Sequence, residues 1–172
     1  MSESLDFERQ ELERQIEAER RKLYSAARDF ALRRLDRREC SSQDIYRHLL
    51  KKKVSPEVSS KVVSDLVVAG VINDERFAKM LTREQATRGK GPQLIRQKLR
   101  AKGISLSVEQ IQAIRGEVTQ ISELDTALAL LERKYDRESD NPNEIRRAFQ
   151  ALVRRGFSFA LAQEAVRRWK KP

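Results

Sequence analysis

Cysteine, aromatic side chains and long apolar runs are scarce in this sequence, and each scarcity excludes a class of protein. One cysteine, Cys40, cannot form an intramolecular disulfide, and with no secretory signal it predicts a cytoplasmic protein. Aromatic residues make up 6% of the chain, too few for a surface that stacks many single-stranded bases. The longest apolar run, residues 66–72, is far shorter than the ~20 residues that span a bilayer, so no membrane contact is expected.

Residues able to carry catalysis or bind a metal are also scarce. His48 is the only histidine, and one cysteine with one histidine cannot supply the ligands of a zinc site. A Cys40–His48 nucleophile pair would lack an orienting third group. Asp136, Glu138 and Asp140 resemble the carboxylates of a metal nuclease, but the run is more typical of a solvated turn. We predict no catalytic residue, no cofactor and no metal.

Positive charge, in contrast, is abundant. The chain has 36 Lys and Arg against 26 Asp and Glu, a net charge of +10. The distribution is uneven, because residues 1–20 hold seven acidic and three basic side chains and carry −4, which leaves +14 for the remainder. A strongly basic domain is expected to bind a partner rich in phosphates or carboxylates.

The chain repeats itself with a period of 50 residues. In each copy a residue suited to cap a helix precedes an isoleucine by four positions, and a large apolar residue follows one turn later. Pro92 and Pro142 then occupy the first helical position, where proline is favoured. The three sets, which predict three helices in register, are Ser41, Ile45 and Leu49; Gly91, Ile95 and Leu99; and Asn141, Ile145 and Phe149.

A second helix start recurs at Ser55, Ser105 and Ser158. The last interval is 53 residues, so the middle helix of the third copy is predicted to be about one turn longer. One further helix precedes each capped helix, and glycines stand where helices should stop. The predicted fold class is all-α, without β-sheet: an elongated, curved array of three tandem three-helix repeats. We place the repeats at residues 24–72, 73–121 and 122–172.

Residues 1–23 form a charged extension before the first repeat. Leu5, Leu12, Ile16 and Leu23 share one narrow helical stripe. The stripe fits two alternatives: a solvated extension, helical or disordered, or a helix that docks on a partner. The chain lacks a strong coiled-coil heptad, which favours a monomer.

The strongest electrostatic feature is the segment 88–102, which has six basic residues and no acidic one. Its first five residues look like a phosphate-binding loop, but they lack the Gly-Lys-Ser/Thr pattern and a preceding strand. They predict a connector, although a phosphate or carboxylate could dock beside Lys90 at the N-terminus of the next helix. Along that helix we expect Arg96, Lys98, Arg100 and Lys102 to be replaceable with little loss of core packing.

Similar basic tracts recur in the first repeat, at residues 51–53, and in the third, at residues 146–147, 154–155 and 167–171. The charges either solvate helix faces or bind an anionic partner, and an acid-free window repeated on related helices favours binding. Such a surface is expected to bind single- or double-stranded DNA weakly and without reading its sequence. The candidate partner-facing residues are Arg88, Lys90, Arg96, Lys98, Arg100, Lys102, Arg154, Arg155, Arg167 and Arg168.

Four segments carry a family resemblance. They are Ala-Leu-Arg-Arg-Leu-Asp at residues 31–36, followed by the Ser-Ser-Gln-Asp-Ile helix start; Gly-Val-Ile-Asn-Asp-Glu-Arg-Phe-Ala at 70–78; the basic segment 88–104; and Leu-Val-Arg-Arg-Gly-Phe at 152–157. Together they resemble the RecX family of bacterial regulators of the RecA recombinase, over roughly residues 24–170. Residues 1–22 have no counterpart, and Asn73 stands where the family often has a charged or small residue.

The resemblance implies a fold of three tandem three-helix motifs, which agrees with the period of the sequence. It also implies a non-catalytic negative regulator that binds the RecA–DNA filament. Such a protein suppresses recombinase, ATPase and co-protease activity in DNA repair, DNA recombination and the SOS response. The resemblance implies no catalytic residue.

Two other function classes remain open from the residues alone. A general nucleic-acid-binding protein is one, because three-helix units resemble helix-turn-helix modules and the helix from Ser55 to Leu66 would then read DNA. The exposed side of that helix has few of the Arg, Asn and Gln side chains that read base edges. A phosphodiester hydrolase is the other. A RecA regulator should act at substoichiometric amounts, a DNA binder should have to coat the DNA, and a hydrolase should turn over with a metal.

Overall fold

The computed structural model of the protein describes residues 2–117, 121–139 and 141–170, with side chains from residue 7 onward. Of the residues singled out above, Asp140 and the side chain of Leu5 lie outside this description. Within the described ranges no helix has the length and apolar character needed to cross a membrane. The same ranges contain nine helices and no strand: α1 (Ser2–Leu35), α2 (Ser42–Lys51), α3 (Pro56–Val68), α4 (Asp74–Thr87), α5 (Pro92–Ala101), α6 (Val108–Gly116), α7 (Glu123–Lys134), α8 (Pro142–Arg154) and α9 (Phe159–Lys170).

The predicted all-α class with three tandem three-helix repeats is confirmed, because the helices of the described residues group in this way. Repeat 1 (α1–α3), repeat 2 (α4–α6) and repeat 3 (α7–α9) each enclose a separate apolar core. The chain divides into two compact units, Met1–Asp74 and Glu75–Pro172, which we call unit 1 and unit 2. Unit 1 contains repeat 1, and unit 2 contains repeats 2 and 3 from Glu75 onward.

The predicted helix starts are confirmed at Ser41, Gly91 and Asn141, which are the N-caps of α2, α5 and α8. The start predicted at Ser105 is wrong, because α6 begins two residues later with Ser107 as its cap. Ser107 accepts a hydrogen bond from the Gln110 amide, and the Gln110 side chain accepts one from the Ser107 amide. This reciprocal pair satisfies two amides at once, which a cap at Ser105 with valine three residues later cannot do.

The core register of repeat 3 differs from the one predicted. Ile45 and Leu49, like their counterparts in repeat 2, are fully buried, whereas Ile145 is only partly buried. In repeat 3 the fully buried positions are instead Ala148 and Leu152. The reason is the predicted extra turn, since α8 has 13 residues against 10 in α2 and in α5. The buried positions lie at a constant distance from the C-terminal end of the helix, whereas their distance from the N-cap is greater in repeat 3.

The same left-handed turn ends the middle helix of every repeat. Lys53, Gly103 and Gly156 have φ angles of 63°, 79° and 90°. In each turn the amide of the next residue donates to the carbonyl of the last core residue of the helix, such as Phe157 to Leu152 at 3.2 Å. Glycine adopts this conformation without steric cost, while lysine does so at some cost.

The charged extension is helical, because α1 runs without a break from Ser2 into repeat 1. Leu12, Ile16 and Leu23 on the predicted stripe are all exposed. Further along α1, the Tyr24 hydroxyl donates to Asp65 of α3 at 2.7 Å. This contact and the packing of Ala27 and Ala31 into the core fix the end of α1 against its neighbours in unit 1.

Candidate functional site

The basic side chains of α5 are less available than the sequence predicts. Arg100 is exposed, but Arg96 is half-buried and its Nη2 donates to Gln93 Oε1 at 3.0 Å. Lys98 is half-buried, and its Nζ donates to Oε1 of Gln85, a side chain that is only 4% exposed. Lys98 therefore supplies the partner of a buried amide. Replacement of Lys98 is therefore expected to leave that amide without its partner, in contrast to the expectation from the sequence.

The loop before α5 joins repeats 2 and 3 inside unit 2. The Gly91 amide donates to the Arg155 carbonyl at 2.8 Å, and the Gln93 amide donates to the Gly156 carbonyl at 3.0 Å. The backbones lie so close that a Cβ on Gly91 would stand 2.3 Å from the Gly156 carbonyl, and a Cβ on Gly156 would stand 2.4 Å from Leu94. Both amides are already satisfied by carbonyls of repeat 3, so they do not offer an anion the docking point that the sequence suggested.

The structure brings Arg88, Lys90 and Arg155 together around this junction. The Arg155 Nη1 donates to the Arg88 carbonyl at 3.5 Å, while the Arg88 guanidinium pairs with Glu84 at 2.7 Å. Lys90 is half-buried in the same loop. Of the three side chains, that of Arg155 donates across the boundary of the two repeats and helps to hold the loop in place.

A buried arginine that sequence analysis missed completes the junction. Arg115, near the end of α6, is 4% exposed, and its Nη1 donates to the Lys90 carbonyl. Burial lowers the pKa of the Arg115 guanidinium, and the nearby Glu123 carboxylate opposes that shift. The sequence carries no local sign of this role, because the carbonyl that Arg115 binds lies 25 residues away in the chain.

The remaining candidates are Arg154, Arg167 and Arg168 on repeat 3 and Lys102 on repeat 2. Arg167 and Arg168 both pair with Glu164 at 2.6 Å. Their hydrogen bonds, with that of Arg167 the stronger, lower the pKa of the Glu164 carboxyl, so part of their positive charge is offset. Arg154 is exposed at the end of α8 and does not take part in the ion pairs with Glu164. Lys102 is half-buried at the end of α5.

A second basic cluster, also missed, lies in unit 1 where the C-terminal ends of α1 and α2 converge. It surrounds a cavity of about 410 Å³, which we call the α1–α2 cavity. The arginines at i, i+4 spacing near the end of α1 are the signal that could have found it. The residues that line the cavity are Phe30, Arg33, Arg34, Arg37, Arg38, His48 and Lys52.

The pKa of His48 reflects its burial and the positive charge that surrounds the α1–α2 cavity. The pKa of His48 is lowered, chiefly by burial and then by repulsion from Arg34, Lys52 and Lys51. A cation that approaches this site is therefore disfavoured, and a bound anion would relieve the repulsion.

The residues considered for catalysis do not form a site in the part of the chain that is described. Cys40 is buried, and its Sγ donates to the Arg38 carbonyl at 3.5 Å. No cluster of three or more His, Cys, Asp or Glu side chains suited to a metal occurs among the described residues. Asp136 accepts a hydrogen bond from the Glu138 amide at 3.0 Å, which is the arrangement of a turn.

Three domain models of one family match this chain in order. They are RecX, first three-helix domain, over residues 27–66; RecX, second three-helix domain, over 73–108; and RecX, third three-helix domain, over 122–166. The chain is also 30% identical over 139 residues to regulatory protein RecX of Chromohalobacter salexigens, of which it covers 90%. The chain belongs to the RecX family.

Other RecX proteins agree with this membership. The chain is 33% identical over 138 residues to regulatory protein RecX of Halorhodospira halophila and covers 81% of it. The crystal structure of RecX from Lactobacillus salivarius matches the fold with a TM-score of 0.70 at 20% identity, over 86% of this chain and 97% of that one. A crystal structure of regulatory protein RecX matches with a TM-score of 0.72 at 26% identity, over 89% and 76% of the two chains. The named relatives are regulatory proteins, as the family resemblance implied.

Proposed function

We propose that this protein is a non-catalytic negative regulator of the RecA recombinase, which binds the RecA–DNA filament and suppresses its recombinase, ATPase and co-protease activity. Membership of the RecX family supports the choice of partner. The observation on the molecule that carries the proposal is the basic surface of unit 2, where Arg100 and Arg154 are exposed on neighbouring repeats. A filament of protein and DNA presents phosphates and acidic side chains to such a surface.

We rank the proposed contact residues by the exposure and the pairing of their charges. Arg100 and Arg154 are the first candidates, because their charges are exposed and belong to none of the ion pairs described above. Arg88, Arg167 and Arg168 are exposed too, but each shares its charge with a glutamate. Lys98 and Arg155 are assigned to packing and to the repeat junction. We place Lys90, Arg96 and Lys102, which are half-buried, at the rim of the surface.

Direct binding to DNA is proposed to be weak and insensitive to sequence. Binding through phosphates alone gives a linear dependence of log affinity on log salt, with a slope of about −0.9 per phosphate on duplex DNA and about −0.7 on single strands. The regulator is proposed to act in the cytoplasm as a monomer and without a cofactor.

The test is inhibition of RecA ATP hydrolysis on single-stranded DNA. The parent protein should inhibit at amounts well below one molecule per recombinase. The double variant Arg100→Gln, Arg154→Gln should fold normally, since both side chains are exposed. Two exposed charge contacts worth about 0.2–1 kcal/mol each predict that about two- to thirty-fold more of the variant is needed for equal inhibition.

The matched control removes two charges from elsewhere. Arg20→Gln with Lys22→Gln, both exposed on α1, lowers the net charge equally and should leave inhibition unchanged. Equal inhibition by all three proteins would remove the site assignment but keep the regulatory role. Inhibition only when the protein coats the DNA would favour the general DNA-binding alternative, and metal-dependent cleavage of DNA by the protein alone would favour a hydrolase.

A further inference from the structure

The α1–α2 cavity of unit 1 is a concave site that the proposed function does not use. Its volume of about 410 Å³ falls in the range of ligand pockets in proteins. All its lining residues belong to α1, to the turn that follows it, or to α2 and its C-cap, so one compact unit supplies the whole site.

The charge that lines this cavity is of one sign. Four arginines and one lysine line it together with the neutral His48, and no carboxylate is among the lining residues, all of which are described. Like charges held this close repel one another, and the folded state tolerates them at a cost in stability. Elsewhere on α1 arginines are paired with glutamates one turn away, as Arg21 is with Glu17 at 3.2 Å.

One donor in the cluster has no acceptor. The Nε atom of Arg34 is buried and makes no hydrogen bond, although nearly all buried polar atoms in proteins are paired. Arg34 therefore has hydrogen-bonding capacity that the protein itself does not satisfy, and guanidinium groups match the geometry of phosphate oxygens with two parallel hydrogen bonds.

The arrangement suits a chain of anions better than a single ion. Arg33 and Arg34 lie on the last turn of α1, and Arg37 and Arg38 lie in the turn that follows it, so two successive segments of the chain supply cationic groups to the lining. The half-buried Phe30 ring adds an aromatic surface, with the Lys52 ammonium 5.7 Å from its centroid. A nucleic-acid base can stack on such a ring, whereas an acidic peptide has no base to stack there. The ring therefore favours a nucleic acid as the ligand.

We propose that the α1–α2 cavity binds the phosphodiester backbone of a single-stranded nucleic acid, with the four arginines and Lys52 as phosphate ligands. This inference rests on the direct DNA binding proposed above and deepens it, because it places a nucleic-acid contact on unit 1 that can be tested without the recombinase. Arg34 is the innermost ligand, since its Nε is buried, and Arg33, Arg37 and Arg38 form the exposed rim.

The chain offers a direct probe of the site, because His48 is its only histidine and gives a single set of imidazole resonances. Without ligand, NMR titration should give a pKa for His48 below the usual 6.5, owing to burial and to the cations Arg34, Lys52 and Lys51. Addition of a short oligothymidylate should raise that pKa, because bound phosphates offset the positive charge around the imidazole. By linkage, the oligonucleotide should bind more tightly as the pH falls through the pKa that His48 has in the complex.

The variant Arg33→Gln, Arg37→Gln, Arg38→Gln tests the ligands, and its three side chains are exposed. It should abolish the shift of the His48 pKa on addition of oligothymidylate. It should also make the log–log salt dependence of oligonucleotide binding shallower by about 2, the value for three lost phosphate contacts on a single strand.

The control Arg20→Gln, Lys22→Gln, Arg28→Gln removes the same charge from α1 outside the cavity and should keep both responses. If the triple cavity variant loses helicity, Lys52→Gln replaces it, since Lys52 is exposed at the C-cap of α2. An unchanged His48 pKa on addition of oligothymidylate overturns the proposal, as does equal loss in variant and control. An equal shift with polyglutamate at the same charge concentration, or with inorganic phosphate, would overturn the choice of a nucleic-acid strand.

Discussion

The basic residues of the two compact units differ in what surrounds them. In unit 2 the segment 88–102 is the most basic in the sequence, yet Lys98 binds a buried amide and Arg88 is paired with Glu84. In unit 1 the end of α1 and the turn that follows it supply four arginines, against six basic residues in that segment, yet these four line one cavity that has no carboxylate in its lining. The number of basic residues in a segment therefore does not show which of them can contact a partner, because tertiary contacts determine which of these side chains stabilise the fold.

We expect the largest loss of stability at the junction between repeats 2 and 3, which includes the basic loop of unit 2. In Gly156→Ala the new Cβ would stand 2.4 Å from Leu94, at a φ of +90° that alanine rarely adopts. Left-handed strain and overpacking together should lower the free energy of unfolding by about 2–5 kcal/mol, measured by urea denaturation. Gly116→Ala is the control, because its Cβ meets nothing within 4 Å. A loss no larger than that of the control would contradict the junction.

A smaller effect separates two neighbouring charges on α5. Lys98→Ala should cost about 1–3 kcal/mol of stability, since Gln85 would be left as a buried amide without its partner. Arg100→Ala should stay within about 0.5 kcal/mol, because its side chain is exposed. Equal stability of the two variants in the same urea titration would show that Lys98 is a surface charge after all.

The smallest effect has the opposite sign and concerns unit 1. Arg37→Gln should raise the unfolding free energy by up to about 0.5 kcal/mol, because it relieves like-charge repulsion around the α1–α2 cavity. Arg88→Gln in unit 2 should be neutral or slightly destabilising, since it breaks the exposed pair with Glu84. Thermal unfolding at low salt gives the sharpest comparison, and destabilisation by Arg37→Gln would show that its charge supports the fold.

The local parts of the fold could be read from the sequence. A cap followed by proline at the first helical position depends only on neighbouring residues, which is why the starts of α5 and α8 were predicted correctly. The start of α6 was missed although its signal is local, because Gln110 stands three residues after Ser107 and completes a capping box. The core register at Ile145 failed because an inserted turn can shift either end of a helix, and only packing decides which.

The roles of Arg115 and Lys98 could not be predicted from the sequence, because the partner of each side chain lies far away in the chain. The Lys90 carbonyl and Arg115 are distant in the chain, as are Lys98 and its acceptor on α4. Helical periodicity shows which residues face outward from an isolated helix, but not which neighbour lies there. The α1–α2 cavity was missed because its lining comes from two separate helix ends, and the sequence does not show that the arginines of residues 33–38 lie beside Lys52.

The hydrogen bonds from Gly91 and Gln93 to repeat 3 determine where the protein can be divided into fragments. A fragment that stops after α6 loses the carbonyl acceptors of both amides and uncovers the loop that packs against Gly156. Repeats 2 and 3 should therefore unfold in one cooperative step, and limited proteolysis should not release either of them as a stable product. Experiments on isolated parts of the basic surface need both repeats in one fragment, even though each has its own apolar core.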